Sequence, residues 1–180
     1  PIKIVFISWN YTDFEKFHQD VGSAIDVINT TSPYYSEMFD IKYVDNSDNL
    51  GCLDPIGCFP TKYPQMAEIG YRIYPNSAAF VVISDLRPQT SAQGIAALGN
   101  NIAAIYSPTA LINPDWFPKT VVHELLGHIV GQLYDRYVYT GRNPFTGEPY
   151  GKLLKGLRSN CTEKTNGENF WRQAGGESFA

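Results

Sequence analysis

The chain predicts an α/β fold with a mixed, mostly parallel sheet of about four to five strands packed with helices. Three observations lead there. Residues 2–8, apart from Lys3, and residues 79–84 are runs of β-branched, aromatic and small residues, the pattern of strands buried on both faces. Residues 11–29 carry apolar side chains at Phe14, Phe17, Val21, Ile25 and Ile28, which is one face of a helix. The composition, with 18% charged and 14% aromatic residues in a chain of 180, suits one well-filled core and excludes intrinsic disorder for most of the length.

The remaining elements follow in chain order. Pro33 closes the first helix region, and residues 39–44 alternate as a second strand. Residues 45–64 read as a long polar loop bearing Gly, Pro and two cysteines, followed by a short helix at 65–74. The strand at 79–84 comes next, then a glycine-containing segment at 94–101 and a further strand at 102–106. Asn113, Pro114 and Asp115 start a helix with Pro118 in its first turn, and the pattern stays helical to about 139. Beyond Thr140 the chain is rich in Gly, Pro, Asn and Lys and reads as loop, with one short helix at 169–173. With no repeat and no composition break, residues 1–180 are expected to form a single domain.

Charge and cysteine content narrow the partners. The formal charge is −4 without a Lys/Arg cluster, which leaves no footprint for nucleic acid or a polybasic membrane patch. The longest apolar runs fall far short of the roughly 20 residues of a membrane helix, so no membrane span is expected. Cys52 and Cys58, in the loop GCLDPIGCFP at 51–60, suit a small disulfide staple and hence an oxidising, extracellular setting. Three N-x-Thr triplets, at Asn10, Asn29 and Asn160, agree with secretion but arise often by chance. Pro1 opens the chain directly on a strand, as in a processed or trimmed product. Cys161 is either free or paired beyond Ala180, and the second option implies a chain cut on its C-terminal side.

The chemistry lies in residues 121–137, VVHELLGHIVGQLYDRY. The segment approaches the H-E-x-x-H zinc helix, in which two His one turn apart bind metal and the Glu is general base. Here His123 and His128 are five apart instead of four, because LLG occupies the interval. At about 100° per residue, a separation of four leaves two side chains about 40° apart and a separation of five leaves them about 140° apart. A regular α-helix therefore cannot aim both at one ion. A single i to i+5 turn absorbs the extra residue, with Gly127 a permissive place for it. Such a turn disturbs one or two hydrogen bonds at about 0.5–1.5 kcal/mol each, against apparent zinc-binding energies of about 10–16 kcal/mol in small structural sites. Two Val, two Leu and the following Ile and Val make the helix buried, where His and Glu without partners are costly; metal binding removes that cost.

With one Leu removed, the segment resembles the signature of the IgA-peptidase family of secreted zinc metallopeptidases, H-E-L-G-H-x-x-G-x-L-x-D-E-Y. From His128 the match runs through Gly131, Leu133, Asp135 and Tyr137, with two departures: the inserted Leu, and Arg136 where that family has Glu. Upstream, the similarity covers an opening strand, a long helix, a strand ending in Val-Asp before a Cys-bearing loop, and a Val-Val-Ile strand. It extends over residues 2–172, including Asn160 to Thr162 and Trp171. The resemblance implies a zincin-like catalytic domain over 1–180, with its active-site helix at about 115–139. It implies Zn²⁺ on His123 and His128, with Glu124 as general base toward water that attacks a peptide carbonyl. Asp135 is the candidate third ligand. A straight helix places it about 10.5 Å beyond His128, so the chain must leave the helix axis near Gly131. Pairing with Arg136 or Arg142, or capping a turn, accounts for Asp135 equally well. The metzincin group is also similar, but both Met residues, Met38 and Met66, precede the motif and no Met-turn follows it.

Other residues have plainer readings. His18, between Phe17 and Gln19, fits a solvent-facing helix position. Tyr134, Tyr137 and Tyr139 are candidate oxyanion donors, yet twelve Tyr in the chain make chance placement the stronger account. Two functions are expected to compete. One is a secreted, monomeric zinc peptidase with a protein or peptide substrate laid along an edge strand at 102–106. The other is a non-catalytic binding module whose site the inserted Leu has displaced.

Overall fold

The computed structural model describes residues 1–31, 37–86, 93–97, 99–111 and 113–131. The chain runs through β1 (Ile2–Trp9), α1 (Phe14–Thr31), β2 (Phe39–Val44), α2 (Pro55–Ile73), β3 (Ala79–Ser84), β4 (Gly94–Ala97) and β5 (Ile102–Tyr106). The last described elements are α3 (Trp116–Val121) and the π-helix into which it passes without a break, Val122–Val130. The five strands form one sheet in the order β2-β1-β3-β5-β4. All pairings are parallel except β4 with β5, so the sheet is mixed and mostly parallel, as the sequence predicts.

The unbroken apolar runs account for the middle of the sheet. β3 and β5 are buried along their whole length and β1 over its last six residues, which requires cover on both faces. α2 supplies one cover: Gly70 lies so close to Phe80 that an added Cβ would fall 2.4 Å from its ring. α1, α3 and the π-helix pack on one another and on the sheet, and α1 contributes Phe17, Val21, Ala24 and Ile28 to the core. Asp13 caps α1, its carboxylate accepting from the backbone N–H of Glu15 at 2.9 Å. Among the described residues no helix is long and apolar enough to cross a membrane.

Polar side chains tie the C-terminal ends of the strands together. Tyr11 donates to Asp20 at 2.7 Å, and the Lys16 ammonium bridges Asp20 and Asp85 at 3.2 and 2.5 Å. Asp85, just after β3, also accepts from Ser107 and Thr109, just after β5. This network sits where the order of the sheet reverses between β1 and β3. Nearby, Trp9 donates to the carbonyl of Cys52, and Tyr106 donates to Asp54 at 2.7 Å.

Three sequence expectations need correction. The segment at 94–101 contains a strand, β4, formed by pairing Gly94 through Ala97 with Ile105 through Ile102. The strand at 102–106 is consequently not an edge: β5 lies between β3 and β4, and β4 occupies the outer position. The loop expected over 45–64 is shorter, because α2 begins at Pro55 rather than near 65. Asp54 caps it through the N–H of Ile56, Pro55 takes the first helical position, where no donor is needed, and Pro60 and Pro64 are carried within the helix. Cys52 and Cys58 are joined, so the disulfide spans the start of α2.

Candidate metal centre

The site is built by α3 and the π-helix against β4. Asn113 accepts from the N–H of Asp115, and Pro114 begins the turn that leads into α3 at Trp116, as the sequence suggests. α3 buries Phe117, Thr120 and Val121. From Val122 the backbone widens, and the N–H of Gly131 closes on the carbonyl of Leu126 at 2.9 Å, an i to i−5 bond. The spacing of five predicts one wide turn, whereas nine residues adopt the π form. Leu125, fully buried, and Ile129 hold this segment in the core, so its register is fixed by packing as well as by hydrogen bonds.

The wide turn does what the spacing of five requires. His123 and His128 converge edge to face, with Nε2 atoms 3.1 Å apart and ring planes crossing at 78°. The diverging arrangement of a regular α-helix is therefore not the one adopted. Glu124 places a carboxylate oxygen 3.9 Å from Nε2 of His123. Glu124 and His128 are buried, and His123 is nearly so. Among the described residues, His123, Glu124 and His128 form the one group of this kind able to hold a metal ion, with one ligand atom from each lying within 4.8 Å of the others.

The donor set fits a divalent ion of the zinc type. Two imidazole nitrogens bound at about 2.0–2.1 Å in tetrahedral geometry stand about 3.3 Å apart, close to the 3.1 Å between the two Nε2 atoms. Without a cation, the same approach is an imidazole–imidazole hydrogen bond in which one ring donates and the other accepts. The nitrogens thus converge on one point among side chains largely withdrawn from water. Two imidazoles with a carboxylate also suit zinc better than the hard cations, which take oxygen ligands.

Asp135, the expected third ligand, lies outside the described residues, as do Tyr134, Arg136, Tyr137, Tyr139, Arg142, Cys161 and Trp171. His18 is about half exposed, pairs with Asp45 at 2.8 Å and meets the Tyr43 ring edge-on, consistent with its surface reading. Sequence reasoning missed two residues that shape the site, Gly94 and Thr120. A Cβ added to Gly94 would come within 2.8 Å of both Glu124 Cγ and Thr120 Cγ2, and 3.0 Å from Glu124 Oε1. The only signal available was a glycine opening a short apolar run, too small-residued to announce a strand.

No known family model matches the chain, and no curated protein is significantly similar to it.

Proposed function

We propose that the protein is a zinc-dependent peptidase, with His123 and His128 as metal ligands and Glu124 as general base. The observation that carries the reading is the convergence of the two imidazoles across a spacing of five, with Glu124 beside them. A nine-residue π-helix is a rare and unfavourable way to build a core helix, and wide turns of this type concentrate at functional sites. Zinc bound there would supply Lewis acidity, lowering the pKa of water from 15.7 to about 7.

The chain's own residues then have distinct tasks. The imidazoles of His123 and His128 would hold the ion, and the burial of Glu124 and His128 limits water there and strengthens the electrostatics of the site. Glu124 offers a carboxylate that accepts a proton from the attacking water and returns it to the leaving amine. β4, whose outer side has no partner strand among the described residues, is where an extended peptide would add to the sheet. Asp135 is retained as the proposed third ligand. The disulfide supports secretion into an oxidising compartment, where the chain would act as a monomeric catalytic domain on protein or peptide substrates.

Glu124→Gln is the test. The amide preserves the side-chain volume against Gly94 but cannot accept the proton, so hydrolysis of an unfolded protein should fall by about 10²–10⁴-fold while zinc content is unchanged. Full activity in that variant would remove Glu124 from the role.

A further inference from the structure

We infer that Gly94 is a positioning residue, holding the Glu124 carboxylate in place by bringing the edge-strand backbone against it. The inference rests on the peptidase reading and extends it to a residue outside the motif. Gly94 opens β4 and is paired to Ile105, so its position is set by the sheet and not by a loose loop. On the other side stand Glu124 and Thr120, one helical turn apart and both buried. The Cβ of any other residue would sit 2.8 Å from Glu124 Cγ, 2.8 Å from Thr120 Cγ2 and 3.0 Å from Glu124 Oε1. Real Cβ contacts are essentially never closer than 3.0 Å, so something must move.

What moves is decided by the surroundings. Thr120 is anchored, because its hydroxyl donates to the carbonyl of Trp116 at 2.9 Å and fixes the direction of its methyl. β4 is anchored by its ladder to β5. Glu124 has two rotatable bonds before its carboxylate and is the softest of the three. An alanine at 94 therefore displaces the carboxylate, and in catalysis a misplacement of about 1 Å costs about 10²-fold. The backbone conformation of Gly94 is not left-handed, so alanine carries no φ penalty there and its effect is steric. Glycine at 94 is thus required by the general base.

The experiment compares Gly94→Ala, Gly94→Ala/Thr120→Ser and, as control, Gly22→Ala, where an added Cβ meets nothing within 4 Å. Zinc content, kcat and KM are measured on a peptide, and the Gly94→Ala crystal structure is determined. Gly94→Ala should keep its zinc and its KM while kcat falls about 10²-fold. Removing the Thr120 methyl in the double variant should restore about tenfold or more, because the added Cβ can then lean away from Glu124. Gly22→Ala should match the wild type. The crystal structure should show the carboxylate moved with β4 in place. Retention of kcat within about threefold, or a β4 shift with Glu124 unmoved, would overturn the inference. If Gly94→Ala does not fold, the same readings on the double variant decide. Should the wild type show no zinc-dependent hydrolysis, the peptidase reading fails, and displacement or not of Glu124 in the crystal structure still settles the role of Gly94.

Discussion

Deleting Leu126 isolates the extra residue of the motif. In the wild type, convergence across five residues depends on the π-helix, which brings the Nε2 atoms of His123 and His128 within 3.1 Å. Without Leu126 the separation becomes four, which an ordinary α-helix stacks with about 40° of offset, so the imidazoles should still converge. The cost is set by burial. Leu126 is 8% exposed, and losing its side chain forfeits about 1.5–3 kcal/mol, while the relaxed helix regains regular hydrogen bonding. A domain with about 5–15 kcal/mol of stability tolerates that loss. Zinc affinity, measured by competition against a chelator, should stay within about tenfold of the wild type, or about 1.4 kcal/mol. Inserting Ala between Leu125 and Leu126 should do the opposite. A separation of six leaves the two side chains about 120° apart even in a regular helix, and binding should weaken by about 10³-fold or more. Zinc binding that survives the insertion and vanishes on the deletion would refute the argument that the wide turn exists to pair the two histidines.

Two further expectations concern the scaffold. The Cys52–Cys58 bridge closes a loop of about seven residues, worth about 2–2.5 kcal/mol on the chain-entropy account, and it spans the cap of α2. Replacing both cysteines by serine should lower the urea midpoint accordingly; no change under non-reducing conditions would show that the bridge contributes nothing. The second concerns alkaline pH. Burial, the largest influence on Lys16, lowers its pKa, but hydrogen bonds to Asp85 and Asp20 together outweigh it and hold it above the ordinary 10.5. Burial, then the hydrogen bond to Asp20, raises the Tyr11 phenol well above 10.0. Both groups keep their proton longer when folded, so the stability they contribute is complete below about pH 10 and is lost as pH rises further. The denaturant midpoint should therefore be level up to about pH 10 and fall above it, with a shallower fall in Tyr11→Phe. A Tyr11→Phe profile as steep as the wild type's would contradict this.

Much of the fold was legible because its core strands are continuous apolar runs. The bounds of β2, β3 and β5 coincide with the sequence reading, and those of β1 and α1 differ by a few residues. Two elements were hidden for physical reasons. β4 is four residues, Gly-Ile-Ala-Ala, whose intrinsic preference for a strand is weak; pairing with β5 makes it one. The start of α2 was obscured by its prolines, read as breakers, although Asp54-Pro55 is a cap followed by proline at the first helical position. In the site, the spacing of His123 and His128 already demanded an i to i+5 turn. Its spread over nine residues depends on packing of Leu125 and Ile129, which no local pattern reveals. The approach of Gly94 to Glu124 joins residues thirty apart in the chain and could come only from the pairing of β4.

The central claim is that His123 and His128 share one metal ion. Elemental analysis of the protein purified without chelator, alongside His128→Ala, tests it most directly. The wild type should carry close to one zinc per chain and the variant far less, since removing one imidazole leaves the other without its partner at 3.1 Å. A wild-type protein that carries no transition metal and takes up no zinc on reconstitution would contradict it.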